Sequence, residues 1–131
     1  MTDHQPKCLV QVLGKSILQY ELECLEQAGL RHCIVVVGYR GDQVQSRFGP
    51  RFGTMDITYV YNHRFYETNN LYSLWLAHRE LDTDTLLLEG DLIFEDGLLA
   101  DLKENPHPDL AVVDWFRPPM DGTVVLANGD V

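Results

Sequence analysis

Cysteine, positive charge and long apolar runs are all scarce in this chain, and each scarcity closes off a class of protein. The three cysteines, Cys8, Cys24 and Cys33, are an odd number with no C-x-x-C spacing. Neither a disulfide framework nor a zinc knuckle follows, and they read as small core residues in a reducing compartment. No stretch approaches the roughly eighteen apolar residues of a membrane span, and the first residues lack the basic-then-apolar pattern of a secretory signal. A cytoplasmic protein is expected. Ten Lys and Arg stand against twenty Asp and Glu, a net charge of −10. Such a surface repels nucleic-acid backbones and anionic membranes, so a polyanionic ligand needs a metal ion or a few local cations. Gly38, Tyr39, Arg40 and Gly41 lack the G-x-G-x-x-G spacing of a dinucleotide fingerprint, and there is no P-loop. The five histidines show no H-x-x-x-H pair and no hydrolase motif, and are read as structural or solvent-facing.

What is present is the composition of one ordinary globular domain spanning 1–131, 45% apolar and 23% charged, whose folding buries roughly two thirds of the unfolded surface. Periodicity switches repeatedly between helix and strand, which is α/β construction. Leu18, Leu22 and Leu25 stripe a helix over 17–28, with Ser16 and Gln19 at capping-box spacing and Gly29 as its stop. Residues 33–37 form a continuous β-branched run of the kind covered on both faces of a parallel sheet. A short helix over 42–48, a strand over 57–61 and a helix over 70–81 follow, the last capped by Thr68 or Asn69. Leu71, Leu74 and Trp75 read as core. A second buried strand is predicted over 86–88, then a helix over 97–103 and a strand over 110–114. A turn at Met120, Asp121 and Gly122, a strand over 123–126 and an Asn128-Gly129 hairpin signal close the chain. With too little chain after that turn for a returning strand, and no buried strand before Cys8, both ends read as cut from a larger α/β domain.

Ligands of open α/β sheets bind beyond the carboxyl ends of the strands, where Glu89, Gly90 and Asp91 fall. Two carboxylates around a glycine suit a hard cation such as Mg²⁺, with Asp91 the better ligand, although a solvated acidic loop has the same pattern. Lys7 is a point charge able to neutralise a phosphate oxygen, or a surface lysine. Asn69 and Asn70 open a helix with amide groups beside free N–H groups, which fits an anion or a base edge as well as simple capping. Asp114 ends another predicted strand and fits a structural role too.

Taken in order, Pro6-Lys7-Cys8-Leu9-Val10, Gly14-Lys15 before an amphipathic helix, Ala28-Gly29 before a buried strand, Val37-Gly38-Tyr39, Asn69-Asn70-Leu71-Tyr72-Ser73 and Glu89-Gly90-Asp91 resemble the nucleotidyltransferase family across nearly the whole chain. Within that family the N-N-x-x-S helix start is most similar to the phosphocholine and aminoethylphosphonate type of cytidylyltransferase. The resemblance implies a Rossmann-like three-layer αβα domain with a mostly parallel central sheet. It implies transfer of CMP from CTP to a small phosphate- or phosphonate-bearing acceptor, with Mg²⁺ and release of pyrophosphate. Lys7 would act on phosphate oxygens, Asp91 would hold the metal with Glu89 supporting it, and Asn69, Asn70, Ser73 and Glu89 would bind the nucleotide. Neither nucleic acid nor membrane is an implied partner; a homodimer is compatible.

Family members open with a strand and a glycine-rich phosphate loop upstream of the segment matching residues 3–7, and place further strands and a second metal-binding carboxylate after the position of Val131. As this chain stands, the resemblance therefore implies an inactive domain or one that borrows those parts. Two other readings share the residues: a non-catalytic nucleotide-binding or assembly module, and a metal-dependent glycosyltransferase. The latter has no place for Asn69, Asn70 or the Pro6-Lys7 segment.

Overall fold

The structure, a computed structural model, describes residues 4–95 and 97–119. The turn at 120–122, the strand over 123–126 and the Asn128-Gly129 signal lie outside them. After a 3-10 turn at Lys7–Leu9, the strands β1 (Gln11–Val12) and β2 (Lys15–Ser16) pair antiparallel as a small hairpin. Its two turn residues, Leu13 at φ 50° and Gly14 at φ 89°, both occupy the left-handed region that two-residue hairpins require.

Helix α1 (Ile17–Gln27) buries Leu18, Leu22 and Leu25, as its stripe predicts. The capping box does not form. Ser16 occupies the N-cap position, but it is held in β2 with its buried hydroxyl unpaired, while Gln19 donates to Glu23 at 3.0 Å.

Strand β3 (His32–Val37) and strand β5 (Met55–Tyr61) pair in parallel over six positions, from His32 opposite Asp56 to Val37 opposite Tyr61. Helix α2 (Gly41–Phe48) lies in the connection between them, and β4 (Arg51–Phe52) adds a short antiparallel edge, giving the order β3-β5-β4. The α/β expectation holds. Odd-numbered residues Cys33, Val35 and Val37 of β3, and Met55, Ile57, Tyr59 and Tyr61 of β5, join the α1 leucines and Val44 in one core, as a two-residue side-chain period dictates. The even positions Ile34, Val36 and Val60 are only half-buried. Within the run over 33–37 only Val37 is fully buried, Cys33 and Val35 packing against the core half-buried, so the expected cover on both faces is incomplete. At the end of β3 a tight turn enters α2 directly: a Cβ on Gly41 would stand 2.6 Å from Val37 Cγ2, so only glycine lets the helix begin this close to the strand.

The later half departs from the predicted elements. Helix α3 spans Asn70–Leu76, and a separate 3-10 turn follows at His78–Glu80. Trp75, 57% exposed, and Leu71, 72% exposed, are not core. Their side of α3 faces solvent, where Trp75 stacks between Tyr72 and His78 instead. The runs at 86–88 and 110–114 take no regular secondary structure and enter no ladder among the described residues, and Leu87 is 65% exposed. Apolar composition alone predicts a strand there, but a strand also needs a neighbour for its backbone groups. Helix α4 (Leu98–Glu104) forms close to its predicted span and seats Leu99 in the core.

Candidate active site

A cleft of about 850 Å³ opens beside the carboxyl end of β3, with Leu18, Val35 and Val37 in its apolar lining and Lys7, Asn70, Glu89 and Asp91 in its polar lining. Three separate elements deliver the polar groups. Lys7 comes from the first 3-10 turn, Asn70 from the first turn of α3, and the two carboxylates from the loop over 89–91. Side chains as far apart in sequence as Lys7 and Asp91, 84 positions, therefore line one cleft at the strand end.

Asn70 and Glu89 are joined directly, the Asn70 Nδ2 donating to both carboxylate oxygens at 3.1 and 3.0 Å. Asn69 is spent differently. Its side chain accepts from the Tyr72 N–H at 3.3 Å and caps α3, so the capping alternative describes what its oxygen does. Ser73 is also turned away from the cleft lining, receiving a hydrogen bond at 3.1 Å from Asn62 Nδ2. Asp114 lies elsewhere as well, accepting from the Trp115 N–H at 2.7 Å. Of the predicted site residues, then, the structure gathers Lys7, Asn70, Glu89 and Asp91 and leaves Asn69 and Ser73 in supporting positions.

Two organising residues carry no obvious motif. Asn62 is 3% exposed; it donates to Thr68 Oγ1 and Ser73 Oγ and accepts from the Arg64 N–H, while its own N–H donates to the Val37 carbonyl. It ties the end of β3 to the start of α3. Glu21 is 4% exposed, and its Oε1 accepts from the Leu92 N–H at 3.1 Å. Glu21 sits three residues after Leu18 and four before Leu25, inside the apolar stripe, and a carboxylate in that stripe is the signal that could have singled it out.

Burial dominates the electrostatics behind the cleft. It pushes the Glu21 carboxyl up to about 7, opposed by the Leu92 hydrogen bond and reinforced by the negative charge of Asp91. Burial and the field of Glu21 likewise raise the thiols of Cys8 and Cys33 to about 11. These cysteines are inert protonated side chains at neutral pH.

Among the described residues no group of three or more His, Cys, Asp or Glu could enclose a metal ion. The exposed Asp91 carboxylate, with Glu89 beside it in sequence and fixed by Asn70, does fit a hard cation that takes one or two carboxylates and completes its shell with phosphate oxygens and water. All five histidines are exposed and none lines the cleft.

Residues 1–127 match the MobA-like NTP transferase domain. The chain belongs to that nucleotidyltransferase family. A CMP-5'-(3-aminopropyl)phosphonate synthase of Streptomyces rubellomurinus is 36% identical over 129 residues, covering 98% of this chain and 20% of that protein. A choline-phosphate cytidylyltransferase of Streptococcus pneumoniae is 30% identical over 110 residues, covering 82% of this chain and 45% of the relative. A CTP:phosphoglutamine cytidylyltransferase of Campylobacter jejuni is 28% identical over 148 residues, covering 98% and 56%. The chain thus spans between a fifth and a little over half the length of these relatives. Among the described residues no helix is long and apolar enough to cross a membrane.

Proposed function

We propose that this chain carries the nucleotide site of a cytoplasmic cytidylyltransferase that moves CMP from CTP onto a small phosphate- or phosphonate-bearing acceptor. The observation that carries the reading is the convergence of Lys7, the Asn70–Glu89 pair and Asp91 on one cleft at a strand end. Three relatives named for CMP or CTP chemistry favour cytidine. In the reaction an acceptor oxygen forms a bond to the α-phosphorus of CTP as the α–β phosphoanhydride breaks, and pyrophosphate leaves with the electron pair. The protein's part is positioning and charge. Lys7 neutralises phosphate oxygens, Asn70 and Glu89 fix the nucleotide side of the cleft, and the apolar wall of Val35 and Val37 excludes water. Asp91, supported by Glu89, would hold Mg²⁺, which when bound offsets charge on the triphosphate. This also reconciles a −10 chain with a polyanionic substrate.

The test is titration of CTP with and without Mg²⁺, together with a pyrophosphate-release assay using phosphocholine and 3-aminopropylphosphonate as acceptors. Mg²⁺-dependent CTP binding with pyrophosphate release is expected. Tight binding without release would make the chain a nucleotide-binding module, and no binding of CTP would overturn both.

A further inference from the structure

The loop over 89–91 is held from two sides. On one, Asn70 grips the Glu89 carboxylate; on the other, the buried Glu21 of α1 accepts the N–H of Leu92, 71 residues away and next to Asp91. We propose that Glu21 is a positioning residue, whose carboxylate fixes the backbone behind Asp91 and so aims the Asp91 side chain into the cleft for a divalent cation. The proposal rests on the nucleotide-site reading for its purpose, but the geometry that supports it is independent of any nucleotide.

Glu21 occupies a place where the helix asks for something else. Leu18, Leu22 and Leu25 surround it on the buried stripe, and a leucine there would complete the stripe without the desolvation that burying a carboxylate costs. What the side chain gains in return is a hydrogen bond in which its Oε1 accepts the Leu92 backbone N–H at 3.1 Å. A short acidic loop with Gly90 at its centre has little rigidity of its own, so an acceptor anchored in α1 restricts where Asp91 points. Groups of this kind, which do not touch a metal but orient those that do, commonly change metal affinity by roughly 10- to 100-fold when removed.

Two substitutions separate positioning from plain structural support. Glu21→Leu removes the acceptor, whereas Glu21→Gln keeps an oxygen in the same place. Amide hydrogen exchange at Leu92, measured without ligand, is expected to speed up by about 10-fold or more in Glu21→Leu, and Mn²⁺ affinity, read from paramagnetic relaxation, to fall roughly 10- to 100-fold. Glu21→Gln should stay within about 3-fold of the native chain in both, because its amide oxygen still accepts. Thermal melting checks that each variant folds; if leucine prevents folding, Glu21→Ala supplies the same comparison. Native-like Leu92 exchange and Mn²⁺ affinity in the acceptor-free variant would overturn the proposal, as would equal loss in the glutamine variant. Native chain that binds Mn²⁺ but not CTP would overturn the nucleotide reading alone, leaving these comparisons to decide the role of Glu21. Failure to bind Mn²⁺ at all would overturn both.

Discussion

Asn70 Nδ2 lies 3.1 and 3.0 Å from the two oxygens of Glu89, so the first turn of α3 and the acidic loop are latched together across one wall of the cleft. Both partners are exposed, so the latch contributes little to global stability, of order 1 kcal/mol or less. Its consequence is local. Asn70→Asp replaces the donor with a second carboxylate about one hydrogen-bond length from Glu89, and the repulsion should swing the loop away. The expected result is a drop of roughly 10-fold in Mg²⁺-dependent CTP affinity by calorimetry, with a melting temperature near that of the native chain. Equal affinity in the two proteins would show that the latch does not shape the site.

Asp91 has a sharper expectation. Asp91→Asn keeps the size and most of the hydrogen-bonding capacity of the side chain while deleting the charge that a hard cation needs. Because the residue is exposed, circular dichroism and melting should be unchanged. Mg²⁺-dependent CTP binding should fall at least 10-fold. Unaltered binding would remove Asp91 from the metal site.

Asn62 is the structural counterpart to these surface groups. Its amide makes three side-chain hydrogen bonds in a nearly dry position, linking residues 64, 68 and 73 around the entry to α3. Asn62→Ala deletes all three at once and leaves the partners to find water. A loss of about 3 kcal/mol is expected, corresponding to a melting temperature roughly 10 °C lower. Since Ser73 and α3 also lose their tether, nucleotide affinity should weaken along with stability. A stability change below about 0.5 kcal/mol would show that solvent replaces the network without cost.

These residues also show where the sequence is readable and where it is not. Helix α1 and the β3–α2–β5 unit are legible because their apolar periods are enforced by one core: three leucines at helical spacing, then alternating side chains on two paired strands. The hairpin at 11–16 is invisible because its turn is Leu13-Gly14 rather than Asn-Gly, with leucine tolerating φ 50° only under the constraint of the strands around it. The strands predicted at 86–88 and 110–114 fail for a different reason. Residue type fixes a preference, but extended segments become strands through a neighbour that no local window contains. In the site, Lys7, Asn70, Glu89 and Asp91 are recognisable as charged or amide groups at element ends. Glu21 and Asn62 act through burial, and burial is a property of the fold.

Glu21 makes one of these buried effects measurable by pH alone. Its carboxyl has an ordinary value of 4.5 when the chain is unfolded and about 7 in the fold, where burial disfavours the charge. Between those values the folded chain keeps a proton that the unfolded chain has lost. Stability must therefore fall as pH rises from about 4.5 to about 7 and level off above, with the full contribution present only on the acid side. A shift of this size corresponds to about 3 kcal/mol. The groups facing Glu21 are Cys8 from the N-terminal turn, Cys33 from β3 and Asp91 from the acidic loop. Both thiols, raised to about 11, keep their protons throughout that window. The native chain should thus lose melting temperature between pH 5 and pH 8 by an amount that Glu21→Gln does not show, because the amide cannot titrate. The difference between the two melting profiles isolates Glu21 from the other carboxylates, and parallel profiles would mean that Glu21 is charged in the folded protein at every pH in the range.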